Sequence, residues 1–170
     1  MFVAVRAAVY ASGFVLLWGW LAVAVRPFDA ELGGPLHPWL VGFGAALMLA
    51  GGALAVWCVA VFVTAGGGTP APFDAPRRFV AVGPYRWVRN PMYVGGFSLL
   101  GGVGLWVRSP AIALLAAAGL GCAHAFVLLY EEPALARAFG AAYERYCHQV
   151  HRWIPRRPAS PDGPRDPAAP

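Results

Sequence analysis

The sequence predicts an all-α, polytopic membrane protein with about four transmembrane helices, the last two a helical hairpin, followed by a C-terminal cytosolic amphipathic helix. Three observations carry that reading. The 170-residue chain is 59% hydrophobic and 12% charged, about half the charged share of an ordinary soluble domain. A single domain of this length has too little interior to hide so much apolar surface from water. The apolar residues gather into four runs, and a hydrocarbon core of roughly 30 Å takes about 20 helical residues to cross. The stretch that follows repeats its apolar positions at helical spacing instead.

Residues 7–25 are nineteen uncharged positions, longer than the apolar core of a secretory signal, so they are read as a retained span. Residues 39–64 make the second span. Residues 92–107 form a shorter run of sixteen, Arg108, Ser109 and Pro110 interrupt, and residues 111–130 run for twenty. Ser109 suits an N-cap and Pro110 a first helical turn, which makes runs three and four a hairpin. Asn90 before Pro91 reads as the cap of the third run in the same way. The short third run is expected to tilt little or to stop short of the far interface.

Loop charges orient the bundle. Between the first two runs Asp29 and Glu31 stand against Arg26, whereas Arg77, Arg78, Arg86 and Arg89 stand against Asp74 between the second and third. Excess arginine marks the cytosolic side, and four spans then place both termini there as well.

After Tyr130 the residues Leu135, Phe139, Tyr143, Tyr146 and Val150 recur at spacings of four, four, three and four. That is one face of one amphipathic helix, lying on the membrane or packed against the spans. Pro155, Pro158, Pro161, Pro164, Pro167 and Pro170 then fall on every third residue, the period of polyproline II. Residues 156–170 are therefore read as a Pro-rich disordered tail, and residues 1–155 as a single membrane domain.

Several classes drop out. The net charge is +5 and every basic residue is an arginine, but these arginines flank apolar spans and are topology determinants rather than a nucleic-acid surface. Cys58, Cys122 and Cys147 follow neither metal-ligand nor disulfide spacing, so no metal is expected and the thiols are read as small packing groups. Gly66, Gly67 and Gly68 have no strand before them and form a loop rather than a phosphate cradle.

Two places break the membrane pattern. Glu131 and Glu132 end the fourth run, and adjacent carboxylates there need water, a cation or a helix N-terminus to compensate them. Pro133 disfavours helical geometry at Glu132, which predicts a kink or an end to the span and a new helix from Pro133, with its dipole steadying the anions. Such a site favours a cation; the plainer alternative is an interfacial acid pair facing water. The second place is residues 83–95. Its arginines and Tyr85, Trp87 and Tyr93 suit a membrane anchor with an aromatic belt. The flanking Gly83, Pro84, Gly95 and Gly96 would equally let a bulky group approach the backbone. His124 lies in the fourth run, nearly on the face of Glu131 and roughly 10 Å away along a helix. It suits either an interhelical hydrogen bond or a cavity.

Together the two segments resemble the isoprenylcysteine carboxyl methyltransferase and phospholipid methyltransferase superfamily of integral membrane enzymes. The family pattern Gly-Pro-Tyr-x-x-x-Arg-His-Pro-x-Tyr-x-Gly is met by Gly83, Pro84, Tyr85, Arg89, Asn90, Pro91, Tyr93 and Gly95. After the hairpin, Glu-Glu-x-x-Leu-x-x-x-Phe-Gly-x-x-Tyr-x-x-Tyr and a closing Pro are met by Glu131, Glu132, Leu135, Phe139, Gly140, Tyr143, Tyr146 and Pro155.

The resemblance covers residues 83–155 and implies a methyltransferase using S-adenosylmethionine (SAM), with a cytosolic cofactor site and a lipophilic acceptor arriving from the bilayer among membrane lipids. It implies that Tyr85, Arg89, Asn90, Pro91, Tyr93, Gly95, Glu131 and Glu132 line the cofactor site. Asn90, Glu131 and Glu132 become the catalytic candidates, and His124, Tyr143 and Tyr146 the acceptor-binding candidates. Isoprenylcysteine carboxyl methylation, phospholipid N-methylation and a non-catalytic membrane scaffold are the readings carried forward.

Two departures bear on the choice. Asn90 replaces the family's usual His and cannot titrate near neutral pH. Val127 stands where prenylcysteine-specific members tend to carry an arginine apt for a substrate carboxylate.

Overall fold

Helices carry the whole architecture, and no strand occurs among the described residues, which are 2–66 and 80–155 of a computed structural model. Asp74, Arg77, Arg78, the glycines at 67 and 68, and the tail from residue 156 lie outside them. The elements are α1 (Phe2–Val25), α2 (Leu40–Val61), α3 (Pro91–Trp106), α4 (Pro110–Phe126), α5 (Glu132–Phe139) and α6 (Ala141–Gln149). Single 3-10 turns at Arg26–Asp29 and Gly83–Arg86 and wider π turns at Phe62–Gly66 and Val127–Glu131 join or extend them.

Three helical stretches, Val5–Asp29, Leu40–Ala65 and Pro110–Phe139, are long and apolar enough to cross a membrane. The fourth apolar run is α3, whose 16 residues rise about 24 Å, short of a full hydrocarbon core. The bundle is apolar outside as well as inside: Leu16 is 72% exposed and Val56 71%. A helix apolar all round suits lipid contact.

With no hydrophobic drive between helices in lipid, close contact of small residues holds the spans together. The most extensive helix contact joins α2 to α3. Gly44 and Gly51 of α2 meet Gly95 and Gly102 of α3 there; a Cβ on Gly51 would stand 2.5 Å from the Leu99 backbone nitrogen. On the other flank Trp18 of α1 packs edge-on against Phe97, ring centroids 5.1 Å apart, over Gly119 of α4.

The hairpin turn is a tight clasp. Ser109 caps α4 as its sequence suggests, accepting from the Ile112 amide. It also donates to the Asp29 carboxylate at 2.8 Å, and the Ala111 amide donates to the same oxygen at 3.0 Å. Arg108, in the left-handed region at φ 60°, donates its Nε to the Leu36 carbonyl at 2.6 Å.

Three local expectations need correction. Pro133 neither ends the helical run nor drives Glu132 out of helical geometry: the π turn Val127–Glu131 leads directly into α5, which starts at Glu132 rather than Pro133, and Glu132 is helical at φ −62°, ψ −45°. A wider turn leaves room for the proline ring and tolerates its missing N–H. The amphipathic segment is two helices, because Gly140 at φ 51°, ψ −132° breaks it between α5 and α6. Its apolar face survives the break: Leu135, Phe139, Tyr143, Tyr146 and Val150 still form one cluster, joined by Ala81. Asn90 occupies the N-cap position of α3 without making a side-chain cap bond, since its amide is engaged elsewhere.

Candidate functional site

The segment entering α3 is fixed before it reaches the acids. Gly83 adopts φ 58°, which a side chain would resist, and opens the 3-10 turn that buries Pro84 and Tyr85. The Tyr85 ring stands edge-on to Phe62, centroids 5.2 Å apart, in a cluster with Cys58 and Val80. Its carbonyl accepts from the Tyr146 hydroxyl at 2.7 Å, which ties α6 to the turn. Burial pushes the Tyr146 hydroxyl up, so it is a neutral donor.

The chain after α6 returns across this segment. The Arg89 amide donates to the His151 carbonyl at 2.8 Å, and Asn90 Nδ2 donates to the Arg152 carbonyl at 3.2 Å. Held so, Arg152 donates Nε and Nη2 to the two oxygens of Glu132 at 2.7 and 2.8 Å. These bonds push the guanidinium further above its usual range. Arg89 Nη1 lies 3.2 Å from the same carboxylate and donates to Cys147 Sγ at 2.7 Å. Glu132 thus meets two arginines from opposite ends of the motif region.

Glu131 is treated differently. Its Oε2 accepts from the Tyr93 hydroxyl at 3.1 Å, and no cation pairs with it among the described residues. Next to Tyr93 stands the Trp153 ring, centroids 6.4 Å apart. Trp153 Nε1 donates to His124 Nδ1 at 2.9 Å, so the partner of His124 is the chain after α6 rather than a second helix. Trp153 also lines an open groove of about 440 Å³, together with Leu47, Val94, Phe97, Gly101, Ala116 and Leu120. A second groove, about 340 Å³, runs past Glu132, Tyr143 and Cys147.

The fold therefore gathers Arg89, Asn90, Tyr93, Glu131 and Glu132 into one cluster, with His124 at its edge through Trp153. It does not bring every sequence candidate there. Tyr85 turns its ring toward α2. Gly95 lies against α2, where a Cβ would come 2.8 Å from the Ala55 nitrogen. Pro91 is fully buried at the first turn of α3. Tyr143 and Tyr146 are core residues of the α5–α6 layer, Tyr143 also edging the second groove. Sequence reasoning missed Arg152, Trp153 and the role of Cys147. The nearest signal was the closing Pro155, three residues after Arg152.

The donor set fits a small ligand carrying both charges. Arg89 Nε is buried without a hydrogen-bond partner, a cost of about 1–3 kcal/mol unless a ligand or water answers it. Glu131 accepts from one neutral donor although a carboxylate can accept several. No group of three potential metal ligands occurs among the described residues.

The family model of phospholipid methyltransferases matches residues 39–142. No curated protein and no solved structure matches the chain. The matched stretch starts one residue before α2, takes in the arginine segment and the acid pair, and stops before Tyr143, so Arg152 and Trp153 lie beyond it. More than half of its length being matched, the chain belongs to the phospholipid methyltransferase family, within the superfamily of integral membrane methyltransferases that includes the isoprenylcysteine carboxyl methyltransferases.

Proposed function

We propose that this membrane methyltransferase transfers the methyl group of SAM to a lipophilic acceptor, with residues 1–155 as one membrane domain and residues 83–155 as its motif-bearing catalytic part. The observation that carries the reading is the unequal treatment of the two acids. Glu132 is held by two guanidinium groups, while Glu131 keeps acceptor capacity beside Tyr93. When bound, SAM supplies a sulfonium-activated methyl carbon for in-line attack by the acceptor's lone pair, the S–C bond electrons staying on sulfur. The protein's part is alignment and exclusion of water. Glu131 would receive the cofactor's ammonium, Arg89 and Arg152 would hold Glu132 in place, and the groove that Trp153 lines would seat the acceptor's apolar portion. Asn90 donates to a backbone carbonyl, which suits a fixed, non-titrating role.

Among acceptors, phospholipid N-methylation is favoured over carboxyl methylation by one observation. Val127, at the position where an arginine would serve a substrate carboxylate, is 1% exposed, so that position offers an acceptor carboxylate no cation. The excess of arginine before α3 supports a cytosolic placement of this end of the bundle and of both termini.

Calorimetric SAM binding to the protein in lipid nanodiscs tests the reading, with the Glu131→Gln/Glu132→Gln double variant as control. Micromolar affinity (about −8 kcal/mol) lost in the double variant is the expected result. A folded wild type that binds no SAM in the presence of its lipids would overturn the assignment and favour a non-catalytic scaffold. Thin-layer separation of lipids after incubation with methyl-labelled SAM then distinguishes acceptors; absence of labelled phosphatidylethanolamine derivatives would remove the N-methylation reading.

A further inference from the structure

Resting on the SAM reading, we propose that Arg152 recognises the α-carboxylate of the cofactor's methionyl group, and that Asn90 acts as a positioning residue for it. A guanidinium offers five N–H donors and two edges suited to a carboxylate. Glu132 takes the side edge of Arg152, formed by Nε and Nη2, at 2.7 and 2.8 Å. The end edge, formed by Nη1 with the second hydrogen of Nη2, makes no further hydrogen bond among the described residues. A second carboxylate can therefore dock end-on without displacing Glu132.

Arg89 is the weaker candidate for this role. Its side chain is 13% exposed against 29% for Arg152, and its Nη1 already serves both Cys147 and Glu132. Arg89 instead supplies a second positive charge to Glu132, so that this carboxylate does not neutralise Arg152 alone. The result is a polarised cluster: two cations share Glu132, and among the described residues Glu131 accepts only from the neutral Tyr93 hydroxyl. An ammonium at Glu131 and a carboxylate at Arg152 would complete both halves, which is the charge pattern of an amino-acid zwitterion.

The position of Arg152 is not set by its own helix, because it lies beyond α6. Two bonds from the arginine segment place it: the Arg89 amide to the His151 carbonyl and Asn90 Nδ2 to its own carbonyl. Trp153 fixes the following residue through His124. Asn90 thereby couples the segment entering α3 to the guanidinium without contacting the ligand.

The test compares SAM with decarboxylated SAM, which keeps the amine and the sulfonium and lacks the carboxylate. Calorimetry on the full chain in nanodiscs measures both affinities for each protein. The wild type is expected to prefer SAM by about 10- to 100-fold, the usual worth of hydrogen bonding to a charged group. Arg152→Gln should erase that preference while still binding the decarboxylated ligand; Arg152→Lys, which keeps the charge but not the fork, should retain only part of it and decides the matter if the Gln variant does not fold. Asn90→Ala should lower the preference by severalfold, and Asn90→His, which retains a ring N–H donor, should restore it in part.

A purely structural clasp between Arg152 and Glu132 predicts that the Arg152 variants weaken both ligands alike. That result, or a wild type that binds the two ligands equally, overturns the proposal. A wild type that binds neither ligand removes the SAM reading itself, and this assignment with it.

Discussion

The α3–α4 hairpin carries a polar cluster at each end, and the two are built to opposite rules. At the turn, Asp29 accepts from Ser109 and from the Ala111 amide, while Arg108 donates to the Leu36 carbonyl. Charge there meets neutral groups of the turn and the helix start, the carboxylate sits at a helix N-terminus where the dipole favours it, and Ser109 is wholly buried. At the other end charge meets charge, Glu132 is shared between Arg89 and Arg152, and capacity is left over at Glu131 and at Arg89 Nε. The difference teaches how to tell a clasp from a site in one small molecule. A clasp satisfies its polar groups within the fold, whereas a site keeps donors and acceptors for something that comes and goes.

That contrast can be broken in four places. The largest effect is expected from Glu132→Gln, which leaves two arginines facing a neutral amide; SAM affinity measured by calorimetry should fall about 100-fold or more. At the clasp, Ser109→Ala removes the α4 cap and a bond to Asp29, so thermal denaturation should register a loss of about 1–2 kcal/mol. SAM affinity should stay unchanged; a comparable fall there would mean the two ends are not independent. Tyr93→Phe deletes the hydroxyl on Glu131 and should weaken SAM binding about fivefold, near 1 kcal/mol. Ending the chain after Pro155 should change labelled-methyl transfer by less than about twofold, since the described residues of the cluster all lie before Pro155.

Much of the scaffold was legible because its signals are local. Apolar run lengths announced α1, α2 and α4, the sixteen-residue run announced α3 as the short helix, and Ser109-Pro110 announced its own cap. The spacing of Leu135, Phe139, Tyr143, Tyr146 and Val150 announced their common face. That same spacing hid the break at Gly140, because two short helices meeting at one glycine can keep a shared apolar side. The π turn before Glu132 was hidden too, since its sequence, Val-Leu-Leu-Tyr-Glu, reads as ordinary helix.

The cluster divides along the same line. Glu131 and Glu132 stood out from sequence because carboxylates ending an apolar run are conspicuous, while Arg89, Asn90 and Tyr93 became candidates through the family resemblance. Their partnerships did not stand out: Asn90 carries every mark of an N-cap, yet its amide reaches a carbonyl 62 residues away, and Arg152 finds Glu132 across 20 residues.

The sequence by itself determined the class, the spans and the identity of the acids, because burial in lipid tolerates only apolar helical segments and makes every exception visible. Only the tertiary structure decided which arginine each acid meets, which tyrosines face the core, and that residues 151–153 return over the arginine segment. Those choices depend on where a helix break and a wide turn aim the chain in space, and that direction is set by packing between distant segments rather than by any local pattern.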